Sequence, residues 1–69
     1  MAVTYDREGD VLIIELVAGA DGPEAQGPRR CRRAVMLLYG SDNRLIGIEI
    51  TAASKTLAPG ALDNLPAVA

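Results

Sequence analysis

Apolar and polar positions alternate along two pairs of short segments, and each pair is split by turn-forming residues. Val3 to Asp6 and Val11 to Val17 flank Arg7-Glu8-Gly9-Asp10, a pattern that predicts a β-hairpin. With Glu8 and Gly9 as the loop residues, Tyr5 falls opposite Leu12 and Val3 opposite Ile14. Ala34 to Tyr39 and Leu45 to Thr51 flank Gly40-Ser41-Asp42-Asn43-Arg44 and predict a second hairpin, whose Asp-Asn pair tolerates the positive φ of a tight turn. Between the hairpins, residues 18–28 hold three glycines and two prolines without periodicity and are expected to form a flexible loop.

Period-two alternation sorts the strand residues onto two faces. One face is expected to carry Val3, Tyr5, Leu12, Ile14, Leu16, Val35, Leu37, Tyr39, Ile46, Ile48 and Ile50, which makes it the core. The other carries Val11, Ile13, Val17, Met36, Leu38 and Leu45 together with Glu15, Gly47 and Glu49, and is too apolar to be left to water. After Ile50 the alternation stops. Thr51 or Ser54 is expected to cap a short helix, Pro59 and Gly60 to break it, and Leu62, Leu65 and Val68 recur at a spacing of three. The expected fold is therefore α+β: a four-stranded, mainly antiparallel sheet over residues 3–51 and a helical segment over 52–68, in a single domain spanning 1–69. A C-terminal segment of that length covers one sheet face and not two. The second face, with Val11, Ile13, Glu15, Met36, Leu38, Leu45, Gly47 and Glu49, is thus the expected contact surface for a second copy or a partner.

Composition sharpens the expectation of self-association. A chain of 69 residues has a marginal core, and small domains usually add disulfides, a metal or a partner subunit. One cysteine, Cys31, and no histidine exclude an internal disulfide and a zinc site built from one chain, so a homodimer is the remaining device. Met1-Ala2-Val3-Thr4 carries no basic region leading into an apolar run, and no apolar stretch approaches the ~18 residues of a membrane span, so a cytoplasmic protein without membrane contact is expected.

The formal charge of −2 is unevenly spread. Residues 1–28 carry a net −5, Arg29-Arg30-Cys31-Arg32-Arg33 carry +4, and the remainder −1. The basic patch of Arg29, Arg30, Arg32 and Arg33 is local, and the chain is not the polycation expected of a dedicated nucleic-acid binder.

Two blocks carry a resemblance. Tyr5-Asp6, Asp10, Leu12 and Ile14, followed by Leu45, Gly47-Ile48-Glu49-Ile50 and Ala53-Ser54, resemble the small bacterial proteins of domain of unknown function family 2283 over roughly residues 3–57. The resemblance implies a β-rich domain of four strands and a helix without an assigned activity, and some members are similar to antitoxins encoded beside messenger-RNA-cleaving toxins. This chain departs from the family pattern at Leu38 and Gly40, where acids are usual, at Asn43, where glycine is usual, and in the arginine run.

Candidate chemistry is sparse. Asp6, Glu8 and Asp10 alternate like cation ligands, but calcium needs six to eight oxygens, and the two aspartates are expected instead to accept hydrogen bonds from turn amides. Glu15 and Glu49 share the second face, where each needs an arginine, a backbone donor or the subunit boundary. Continuing strand parity backwards from Met36 puts Arg30 and Arg32 on that same face, as their expected partners. Cys31 lies among cations that favour a thiolate, yet no histidine can serve it as a base. Glycosidase-type catalysis by the glutamates lacks a cleft, and no Gly-rich phosphate loop is present. The sequence thus points to a non-enzymatic protein-interaction domain, regulatory or antitoxin-like, with no cofactor or metal. The alternative is a small nucleic-acid binder or minor enzyme using the arginine run with Glu15 or Glu49.

Overall fold

The computed structural model describes residues 1–19 and 27–65. They contain five strands: β1 (Ala2–Asp6), β2 (Val11–Glu15), β3 (Arg29–Arg32), β4 (Val35–Tyr39) and β5 (Leu45–Ile50). These make one sheet in the order β1-β2-β5-β4-β3, with every neighbouring pair antiparallel. A one-turn helix α1 (Ala53–Thr56) and a 3-10 turn (Ala61–Asn64) follow. The α+β class fits broadly, while the expected four strands become five.

The additional strand is β3, Arg-Arg-Cys-Arg, with all four residues exposed. It carries no apolar alternation because an edge strand can take its register from a tight turn instead of from a buried face. Of the segment expected as a loop, Ala18–Gly19 and Gly27–Pro28 are turn and lead-in, and residues 20–26 lie outside the described residues.

The first hairpin has the expected register, with Tyr5 opposite Leu12 and Val3 opposite Ile14. Its ladder closes at Asp6 and Val11, so the loop is the four residues Arg7 to Asp10, with Asp10 at φ 55° and the Glu8 N–H donating to Asp6 Oδ1 at 3.1 Å. β2 ends at Glu15, short of Val17, and Leu16 is 39% exposed instead of joining the core. In the β4–β5 hairpin Val35 faces Ile50 and Leu37 faces Ile48, and Asn43 takes φ 66°. A bulge beside Leu38 and Tyr39 shifts the register there. Ile46, expected on the first face, consequently packs with Leu38 and Met36.

Two clusters result. On the first face Val3, Leu12, Ile50 and Ala53 are buried, and Tyr5, Ile14, Val35, Ile48, Leu57, Leu62 and Leu65 pack around them. On the second, Leu38 is fully buried beside Ile46. Each fully buried leucine contributes about 1.5–3 kcal/mol. The C-terminal segment, expected to cover one sheet face, sits on the β1-β2-β5 part of the first face, and Val68 lies outside the described residues.

The start of α1 differs from expectation. Neither Thr51 nor Ser54 caps it; the N-cap is Ala52 in a left-handed conformation, φ 48°, without a side-chain bond. Asp10 fills that role from the other end of the chain. Its carbonyl accepts the Ala53 N–H at 2.8 Å, and its carboxylate accepts the Ser54 N–H at 3.0 Å and the Ser54 hydroxyl at 2.6 Å.

Candidate functional site

Register decides where the arginines stand. The chain turns at Arg33-Ala34, with Arg33 at φ 56°, so Arg30 pairs with Leu37 and Arg32 with Val35. Both therefore lie on the first face, not on the Met36 and Glu49 face to which straight parity assigned them. The tight turn folds the run back beside β4 instead of letting it continue into that strand, and the expected pairing of Arg30 or Arg32 with Glu49 or Glu15 on a common face is removed. Arg29 and Cys31, opposite Leu38 and Met36, take the second face, where the Arg29 guanidinium reaches Met36 Sδ at 3.8 Å.

A short hydrogen-bonded chain then sets a wall across from these arginines. Thr51 donates from its N–H and its hydroxyl to the Ala34 carbonyl, at 2.9 and 3.3 Å. The Thr56 hydroxyl in turn donates to the Thr51 carbonyl at 2.9 Å. The β3–β4 turn, the end of β5 and α1 are thereby tied together. Between hairpin and helix lies a groove of about 820 Å³. Val35 and Leu37 are its apolar part, Arg30, Arg32 and Arg33 line one side, and Lys55 and Thr56 the other. Among the described residues none of these four cations lies within 4.0 Å of a carboxylate; the ion pair among those residues is the exposed Arg44 with Asp42 at 3.8 Å, outside the groove. The Arg30 guanidinium stands 5.7 Å from the centre of the Tyr39 ring, a cation–π contact that holds it over the sheet.

The second face is only partly open. Leu38 and Gly47 are buried within the chain, and Val11, Ile13, Glu15, Met36 and Glu49 are half-buried; Leu45, expected here, pairs with Tyr39 beyond the bulge, which turns it to the first face, where it is 38% exposed. Glu15 sits opposite Gly47 and Glu49 opposite Ile13, so the two half-buried carboxylates are diagonal neighbours on adjacent strands. The exposed Cys31 thiol donates to the Arg33 carbonyl at 3.2 Å. Among the described residues no three His, Cys, Asp or Glu side chains converge as metal ligands. No helix there is long and apolar enough to cross a membrane.

A separate constellation joins Tyr5, Asp10 and Ser54. The Tyr5 hydroxyl donates to Asp10 Oδ1 at 2.6 Å, alongside the two bonds from Ser54. The Ser54 hydroxyl first, then the Tyr5 hydroxyl, hold the Asp10 carboxyl below its ordinary value, and donation to that carboxylate raises the Tyr5 phenol. Asp6 does accept a turn amide, as expected, whereas Asp10 turns to Tyr5 and Ser54. This is a staple between the first hairpin and α1, and it ties one family-like sequence block to the other.

The model of the family described as Protein of unknown function (DUF2283) matches residues 2–54. The chain belongs to the DUF2283 family. No curated protein and no solved structure was found to match it. The DUF2283 match contains the whole Tyr5-Asp10-Ser54 staple and ends just before Lys55 and Thr56, so one wall of the groove lies beyond it. Lys55, Thr56, Val35 and Leu37 were not singled out as site residues by sequence reasoning. The available signal was Arg30-x-Arg32, an alternation that becomes informative once the turn at Arg33-Ala34 is placed.

Proposed function

We propose that the protein is a non-enzymatic interaction module that acts in the cytoplasm through contacts with another protein. The observation that supports this most is the β4–β3 part of the first sheet face, uncovered among the described residues, where a concave, partly apolar surface is rimmed by cations. Catalysis needs paired groups within a pocket. Cys31 has no histidine to serve it, and Glu15 and Glu49 stand on the opposite face from the groove. The finer reading is a regulatory or antitoxin-like partner protein, which is what the sequence resemblance implies. A photo-crosslinking residue at exposed Thr56, in the native host, tests the reading. A specific protein adduct, absent when the same residue replaces Glu8, supports it. RNA adducts, or none, contradict it.

The half-buried second face supports a homodimer as the second part of the proposal. Val11, Ile13 and Met36 offer apolar contact around Glu15 and Glu49. Sedimentation at micromolar concentration should give twice the chain mass, reduced by Ile13→Glu or Met36→Glu. A monomer at all concentrations contradicts it. The competing reading, a nucleic-acid binder, draws on the four groove cations and predicts heparin retention that falls steeply with salt.

A further inference from the structure

We infer that the groove between the β3–β4 hairpin and α1 takes an acidic, amphipathic segment of a partner protein. Its carboxylates pair with Arg30, Arg32, Arg33 and Lys55, and its apolar side chains rest on Val35 and Leu37. The inference rests on the protein-contact reading and deepens it by naming the partner's chemistry.

Charge complementarity carries the argument. The chain is net negative at −2, yet among the described residues the groove gathers four cations and no acid. Arginine offers planar, bidentate pairing to carboxylates, and three of the four cations are arginines. Charged residues on an edge strand also serve to block sheet-to-sheet pairing, which accounts for the arginines of β3 alone. It does not account for Lys55, which comes from α1 across the groove. Edge charge does exclude a second copy docked strand-to-strand on β3, because arginines would then face arginines.

Other occupants fit less well. Single-stranded nucleic acid is held by stacking on free aromatic rings, whereas the groove presents aliphatic Val35 and Leu37 and the nearby Tyr39 already lies against Arg30. An anionic membrane surface would be drawn to the same cations, but it is broad and does not enter a concavity to reach Val35 and Leu37. An acidic segment with apolar side chains satisfies both the rim and the floor.

The test is fluorescence anisotropy with a short labelled peptide of alternating glutamate and leucine, alongside its glutamine-for-glutamate counterpart, an oligouridine RNA and phosphatidylserine vesicles. The acidic peptide should bind and weaken as salt is added. Replacing its glutamates should weaken it by about tenfold or more. Arg30→Gln with Arg32→Gln, both at exposed positions, should weaken it to a similar degree, with the thermal midpoint showing that the fold is kept. Arg44→Gln removes one arginine charge outside the groove and should change nothing. Equal binding of the two peptides overturns the inference and leaves the protein-contact reading standing. Binding of RNA or vesicles in place of the peptide overturns both, and no binding of the acidic peptide overturns the inference.

Discussion

Asp10 joins parts of the chain that are 44 residues apart, through bonds to Tyr5, Ala53 and Ser54. Its lowered carboxyl makes the native state favour the ionised form, so its contribution is complete above the ordinary value of 3.8 and is lost as pH falls through the lower folded value. Tyr5 has the opposite sign: its raised phenol contributes below 10.0 and ceases to as pH rises through the folded value. Thermal midpoints by circular dichroism should therefore fall on acidification, and Asp10→Asn should start lower and fall less over the same interval. Tyr5→Phe should flatten the alkaline side. A pH profile identical in wild type and Asp10→Asn would dissolve the staple. A second residue-scale case is Ala52, which holds φ 48° without glycine's freedom. Ala52→Gly should stabilise the protein by up to about 1 kcal/mol, because relief of left-handed strain exceeds the added unfolded-state entropy; a loss of stability in denaturant titration would show the strain to be absent. The positive φ at Asn43 was legible from its residue type and turn position. The role of Asp10 was not, since short-range turn logic gave its carboxylate to nearby amides and contained no term for a contact with α1.

At the scale of elements, the strands legible in the sequence were those with a buried side. Val3, Tyr5, Leu12 and Ile14 alternate, and their pairing follows directly. β3 has no buried residue to mark it, and without it Arg30 and Arg32 fell on the wrong face. The bulge at Leu38 and Tyr39 likewise broke strict parity and moved Ile46 to the second cluster. That cluster gives a direct energetic prediction. Leu38→Ala should cost roughly 2–5 kcal/mol, because Leu38 is fully buried on the face once assigned wholly to partner contact. Leu37→Ala, at the half-buried groove floor, should cost clearly less. Equal losses in urea unfolding would contradict the difference in burial between the two leucines.

For the whole molecule, the decisive feature is unequal covering of the sheet. Among the described residues the C-terminal segment packs over β1, β2 and β5, where Val35 of β4 joins the cluster, and leaves β3 and the Leu37 part of β4 uncovered on the same side. Sequence length alone showed that one short segment cannot cover two faces. It did not show that the segment also leaves part of the first face open, because that follows from the position of β3 beyond β4. The staple lies within the family match, as do Arg30, Arg32, Arg33, Val35 and Leu37 of the groove, while Lys55 and Thr56 lie just past it. Backbone amide shift mapping by NMR, with the alternating glutamate–leucine peptide titrated into the full chain, tests the groove as the interaction surface most directly. The account predicts changes concentrated at Arg30, Arg32, Arg33, Val35, Leu37, Lys55 and Thr56. Changes concentrated instead at Val11, Ile13, Met36 and Glu49, or none at saturating peptide, would contradict it.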